Sequence, residues 1–299
     1  MTVTSPPTSL KVSLDRPLYP VTLALLRHVR DAARQMGIEF VVAGATARDI
    51  VLWHVYGIRA ERATRDVDVA VCAISWKAHG ELIARLEATG LFKADARIEH
   101  SLTFEDSAVG KPAPLDLVPF GPLESPEGMI KWPKGEFEMN VLGFQEAVDT
   151  ALQIDMGDGL VVPVVALPVF AVLKILAWRD RRTSKNTDAS DLLLVLRSYH
   201  RAGNEERIWE TATDLLEAHG FDLDLASTAL LGRDARRMAL PATLAAVLPL
   251  LEDENIYDML RRDMLARAAV QMFDEFADGS DKTLAAFRNA FLRLPNEHP

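Results

Sequence analysis

VVAGATARDIVLWHVYG, residues 41–57, opens as an apolar strand, turns on Gly44, and continues with helical spacing to about Tyr56, where Gly57 stops it. A helix that starts directly from a strand presents unpaired backbone N–H groups and the positive end of its dipole. That arrangement suits a phosphate. Strand–glycine–helix junctions are also common in ordinary α/β domains, so the residues downstream must discriminate.

They do so in TRDVDVAV, residues 64–71. On a strand, Asp66 and Asp68 are two apart and face the same side. Two adjacent carboxylates repel each other unless a cation neutralises them, and oxygen ligands of this kind suit Mg²⁺ (or Mn²⁺), whose shell is completed by waters and substrate phosphates. An isolated D-x-D reads more simply as a solvated strand edge; behind a phosphate-type turn, metal binding is the better reading. Asp116, in PLDLV, interrupts a strand that is otherwise apolar. A lone charge there requires an ion pair, a metal, or an outward-facing position alternating with Leu115 and Leu117. Three carboxylates and a glycine turn permit a two-metal clamp on a phosphoryl transfer. Arg48 and Arg65 flank the carboxylates in sequence, and either contact phosphate or pair with Asp49 and Asp66.

Working outward, residues 19–36 form an amphipathic helix ended by Gly37, and SWKAHGELIARLEATG is a helix capped by Ser75. Two short strands follow over 95–118. The Pro/Gly-rich stretch GPLESPEGMIKWPKGE is either a flexible lid or a connection. GLVVPVVA is a further strand, LPVFAVLKILAWRDRR a helix with Pro168 in its first turn, and the pattern from TDASDLLLVLRSYH onward is helical. Helical segments are expected near 204–219, 222–238, 242–252, 256–276 and 282–293. The fold class is therefore α+β, with a disordered tail at 1–15, a mixed α/β domain at 16–165, which would be the catalytic one if the site residues above are functional, and a helical domain at 166–299. Trp53, His54 and Tyr56 are assigned to packing.

Of the 299 residues, 49% are hydrophobic and 25% charged, as in a soluble globular protein. No apolar run is long enough to span a bilayer, and MTVTSPPTSL lacks the features of a signal peptide, so a cytoplasmic protein without membrane partners is expected. The formal charge of −10 has the wrong sign for broad nucleic-acid binding, leaving WRDRRTSK as the one dense basic stretch. The single cysteine, Cys72, follows an apolar strand and reads as packing. The seven histidines lack metal-ligand spacing.

The ordered set of turn, D-x-D strand and third carboxylate resembles the nucleotidyltransferase superfamily of the DNA polymerase β type, which implies a mixed β-sheet flanked by helices. GATARDIVL followed by RDVDVAV is similar to the head of the CCA-adding enzymes and poly(A) polymerases, but that branch's second-domain motif for choosing the base is not found. The AbiEii-like nucleotidyltransferases, toxin components of type IV toxin–antitoxin systems, match further along the chain. Their post-carboxylate lysine, basic stretch and Asp-rich helix start correspond to Lys174 in VLKILAWRDRR, then Lys185, Asp188 and Asp191 in KNTDASDLLLV.

This resemblance, over roughly residues 38–200, implies transfer of an NMP from an NTP to an acceptor hydroxyl on a tRNA 3′ end, another RNA or a protein, with an antitoxin as a further partner. Asp66, Asp68 and Asp116 would hold the metal, and Gly44, Ala45 and Thr46 would cradle the triphosphate. Lys174 would assist as a phosphate clamp, and Asp191 would hold Lys174 or a nucleotide hydroxyl; Asp188 reads equally well as an N-cap. The family's turn has Gly-Gly or Gly-Ser where this chain has Gly44-Ala45, with Thr46 supplying a hydroxyl one position later. That departure keeps a rival in view, a nucleotide-sensing or partner-binding module on a decayed transferase head. Adenylylation of a small molecule such as an antibiotic is a third reading, within the enzyme class.

Overall fold

In the computed structural model, which describes residues 10–60, 66–135, 137–184, 187–268 and 275–293, the opening stretch begins inside an eight-stranded mixed sheet. β2 (Phe40–Ala43) is buried along its length, as befits a strand without polar alternation. The sheet order is β1 (Leu10–Lys11), β9 (Leu152–Asp155), β10 (Val161–Val164), β2, β3 (Val67–Cys72), β6 (Ala113–Phe120), β5 (Ser101–Phe104) and β4 (Phe92–Ala94). β2 pairs parallel with β10 and antiparallel with β3, while β3 and β6 run parallel.

Helices feed this sheet. α1 (Pro20–Met36) starts on a proline, whose missing N–H costs nothing at that position, and buries Leu25, Leu26, Val29 and Ala33. α2 (Gly44–Asp49) follows β2 directly and continues as a π-helical turn, Ile50–Val55. α3 (Trp76–Glu87) is capped by Ser75, whose Oγ accepts from the Ala78 N–H at 3.1 Å, and the short α4 (Phe144–Asp149) buries Glu146 and Ala147. Trp53 and His54 are half-buried and hold the N-terminal segment. Arg16 Nε donates to the Trp53 carbonyl at 3.0 Å, and His54 Nδ1 lies 2.7 Å from the Arg16 carbonyl.

One expectation is corrected here, and one alternative is resolved. Leu10–Lys11 pairs parallel with β9 and Val12 is buried, so residues 10–15 are not part of a disordered tail. Of the two readings of the stretch after Phe120, the described residues 121–135 fit the connection. β7 (Met129–Lys131) pairs with β8 (Glu138–Asn140), and Glu124 accepts from the Gly121 and Gly128 N–H groups at 2.7 and 2.6 Å. Trp132 is buried with its ring centroid 5.1 Å from that of Trp76 and 5.2 Å from that of His100. A short antiparallel pair anchored by a buried indole is a connection, not a lid.

The chain divides into two compact units, residues 1–166 and 167–299. The second consists of α5 (Leu167–Arg181), α6 (Thr187–Ser198), α7 (Glu205–Thr211), α8 (Thr213–Ala218), α9 (Leu223–Met238), α10 (Pro241–Glu252), α11 (Glu254–Ala268) and α12 (Glu275–Leu292), with a π-helical turn at His200–Asn204. The helix expected over 204–219 is two, because Ala212 leaves helical geometry at φ −131° and ψ 32°. α9 and α12 pack so closely that a Cβ on Gly232 would stand 2.4 Å from the Phe287 carbonyl oxygen. α5 buries Val169, Phe170, Val172, Ile175, Leu176 and Trp178, making it a core helix of its unit rather than one with a single apolar stripe.

Candidate active site

The parallel pairing of β3 with β6 sets Asp68 opposite Asp116. Register partners on neighbouring strands project to the same face, so the two aspartates leave adjacent backbones at a strand spacing of about 4.8 Å. Both residues are half-buried and alternate with buried Val67, Val69, Leu115 and Leu117. That alternation answers the question raised by Asp116: it lies on the open face of a strand whose other face is core. The row extends to Ala43 on β2 and Ser101 on β5, the register partners of Asp68 and Asp116 respectively.

The glycine turn closes on this pair. Gly44 has φ +60°, and a Cβ added there would lie 1.8 Å from Asp68 Oδ2. The carboxylate therefore rests against bare Cα, and any side chain would displace it. Thr46, also buried, donates its hydroxyl proton to the Asp66 carbonyl at 2.5 Å. Asp66 itself is exposed, immediately before the first residue of β3. The side chain of Ala45 is buried.

Arg48 pairs with Asp49. Its guanidinium is buried and bonds Asp49 Oδ1 from Nε and a terminal nitrogen at 2.8 and 2.6 Å. Arg65 and Lys185 lie outside the described residues. Cys72 is half-buried; burial, then the charge of Glu39, pushes its thiol up, so it is a poor nucleophile and the packing assignment holds.

Among the described residues, no three His, Cys, Asp or Glu side chains are gathered closely enough to hold a metal ion by themselves. Mg²⁺ does not need such a cage. It is usually held by one or two carboxylates together with substrate phosphates and water, and the Asp68–Asp116 pair is a donor set of that kind.

Within the second unit, Lys174 neither snorkels nor meets solvent. Its side chain is 8% exposed, and Nζ donates to Asp188 Oδ1 at 2.9 Å and Asp191 Oδ2 at 2.7 Å. The Phe170 ring centroid lies 5.3 Å away, one helical turn earlier. Asp188, which the sequence leaves as an N-cap, is the hub of this cluster. It is fully buried and also accepts from Arg181 Nε and a terminal nitrogen at 2.7 and 2.8 Å. Burial pushes the Asp188 carboxyl up, but the Arg181 hydrogen bonds and the Lys174 charge outweigh it, holding the carboxyl below the usual range. The signal for Arg181 was present: Lys174 and Arg181 fall two turns apart on one stripe of α5, and Asp188 and Asp191 share one face of α6. What the spacing did not show is that the two stripes meet.

Residues 25–291 match the family described as nucleotidyl transferase AbiEii toxin, type IV TA system. The chain belongs to the AbiEii nucleotidyltransferase family. No curated protein matches it. Solved structures similar to this AbiEii-family chain include the solution structure of the antibiotic-resistance factor ANT(2'')-Ia, at 16% identity over 68% of this chain and 98% of that one, with a TM-score of 0.39. An antigenic nucleotidyltransferase-like protein from Paracoccidioides brasiliensis is 14% identical over 69% and 93%, with a TM-score of 0.41. A CCA-adding enzyme with ATP is 13% identical over 94% and 81%, with a TM-score of 0.26. At these values the likenesses carry no argument about substrate. Among the described residues, no helix is long and apolar enough to cross a membrane.

Proposed function

We propose that this AbiEii-family protein is a metal-dependent nucleotidyltransferase that moves an NMP from an NTP to an acceptor hydroxyl. The observation that carries the proposal is the in-register Asp68–Asp116 pair with the bare Cα of Gly44 against the Asp68 carboxylate. In this reading Asp68 and Asp116 would hold Mg²⁺ or Mn²⁺ together with substrate phosphates and water, offsetting the charge on the triphosphate, while Asp66, exposed just before β3, is not gathered with them. The backbone of Gly44 and Ala45 cradles the phosphates. Asp116 takes the proton of the acceptor hydroxyl as its oxygen attacks the α-phosphorus, and the bond to pyrophosphate breaks. Lys174 is proposed as a phosphate clamp on the family resemblance alone. The family description, a toxin of a type IV TA system, supports a tRNA 3′ end, another RNA or a protein side chain as the proposed acceptor and an antitoxin as the proposed partner.

A second reading, a nucleotide-sensing or partner-binding module on a decayed transferase head, is favoured by Ala45 in the turn and by the internal bonds of the Thr46 hydroxyl and the Arg48 guanidinium. One assay separates the two. The protein is incubated with each labelled NTP, Mg²⁺ and either total tRNA or cell lysate. Label transferred to a macromolecule by the native chain, and not by Asp68→Ala or Asp116→Asn, supports the transferase. NTP bound without transfer under any of these conditions supports the second reading.

A further inference from the structure

We propose that Thr46 is a positioning residue: its hydroxyl fixes the start of β3, and with it Asp66 and Asp68, and is not a ligand of the triphosphate. The inference rests on the transferase reading above, since it concerns how that site's carboxylates are held.

A threonine hydroxyl has one proton to donate. In a helix it commonly goes to a carbonyl one turn back; here it goes to Asp66, 20 residues away, at 2.5 Å. Thr46 is only 6% exposed, so the donor is enclosed by the fold while the acceptor residue lies at the surface. The acceptor lies at a sensitive point. The first pairs of the β3–β6 ladder are Val67 with Leu115 and Asp68 with Asp116, and Asp66 stands just outside them. A strand end beyond its ladder frays unless something else fastens it.

The glycine turn thus holds the D-x-D motif at both aspartates. Gly44 meets the Asp68 side chain, and Thr46 meets the Asp66 main chain. Carboxylates meant to share an ion with a phosphate must be held to a fraction of an ångström by the groups behind them. With its proton on Asp66, the Thr46 hydroxyl has none to give a phosphate oxygen. The serine-like role that the sequence suggests for it is therefore unfilled.

The test compares the native full-length chain with Thr46→Val, which keeps the shape and removes the donor, and Thr46→Ser, which keeps the donor. Hydrogen–deuterium exchange of the Val67 and Asp68 amides is measured without metal, and Mn²⁺ binding by the paramagnetic resonance signal of the free ion. Mg²⁺-dependent transfer is resolved into kcat and KM for NTP. We expect T46V to exchange faster at these amides, to bind Mn²⁺ roughly 10- to 100-fold more weakly, and to lose kcat with KM for NTP nearly unchanged, while T46S restores all three.

Unchanged exchange and Mn²⁺ binding in T46V with a raised KM for NTP would make Thr46 a phosphate ligand and overturn the proposal. So would T46S behaving like T46V. If the native chain transfers no nucleotide, the transferase reading fails, while exchange at Val67 and Asp68 still decides whether Thr46 fastens the strand. Should T46V not fold, T46A carries the same comparison.

Discussion

A methyl group on Gly44 would have to occupy the place of a carboxylate oxygen. Gly44→Ala therefore combines two costs: roughly 1–2 kcal/mol for holding an L-residue in the left-handed region, and displacement of Asp68 from its seat. Gly37 separates them. It has φ +64° with nothing within 4 Å of an added Cβ, so Gly37→Ala carries the strain alone. Both variants are expected to melt a few degrees lower by calorimetry. Only Gly44→Ala should also lose nucleotide transfer. Equal transfer in the two variants would remove the Gly44–Asp68 contact from the site. The contact was half legible beforehand, because the glycine and the D-x-D are both local signals. That one touches the other is a matter of β2–β3 register, which no local signal contains.

At the level of elements, α5 and α6 are joined through charge. Removing Lys174 leaves Asp188 and Asp191 buried with fewer cations, and breaking such a pair costs about 3–5 kcal/mol. Lys174→Ala should therefore lower stability markedly as well as transfer. Lys174→Arg keeps the charge but not the compact ammonium, and should recover much of the stability and only part of the transfer. A Lys174→Ala chain that melts normally and transfers normally would make the cluster dispensable. Acid should undo the same cluster. Asp188 is held below the usual carboxylate range in the folded chain and returns to about 3.9 on unfolding. Its contribution is complete above that unfolded value and is lost as pH falls through the lower folded one. A melting series from pH 6 to pH 2 should show a decline below about pH 4 that is shallower in Asp188→Asn.

For the molecule as a whole, the test is whether metal and nucleotide bind as one. If they share ligands, Mg²⁺ and NTP together should raise the melting temperature by more than the sum of their separate shifts. A ligand at 100 times its dissociation constant contributes about 2.7 kcal/mol, enough for the excess to be resolved by differential scanning calorimetry. Strictly additive shifts would show two independent sites and count against the transferase. The formal charge of −10 bears on the acceptor. A chain of that sign repels polyanions at long range, so an RNA acceptor must be met by a local basic surface, and its modification should fall as salt rises.

What the sequence determined by itself was whatever follows from short-range periodicity and residue chemistry. The apolar run of β2, the turn at Gly44, the alternation around Asp68 and Asp116, the Ser75 cap and the change to helical spacing after residue 166 can each be read within a window of a few residues. What only the tertiary structure decided were pairings between segments distant in the chain. They include Asp68 beside Asp116, the Thr46 hydroxyl on Asp66, Lys174 and Arg181 on Asp188, Leu10–Lys11 added to the sheet edge, and Trp132 closing the 121–136 stretch. The physical reason is the same in each case. A polar group's need for a partner is written in its own chemistry, but which partner it finds depends on strand register and helix packing, which are settled by burying the apolar faces between them.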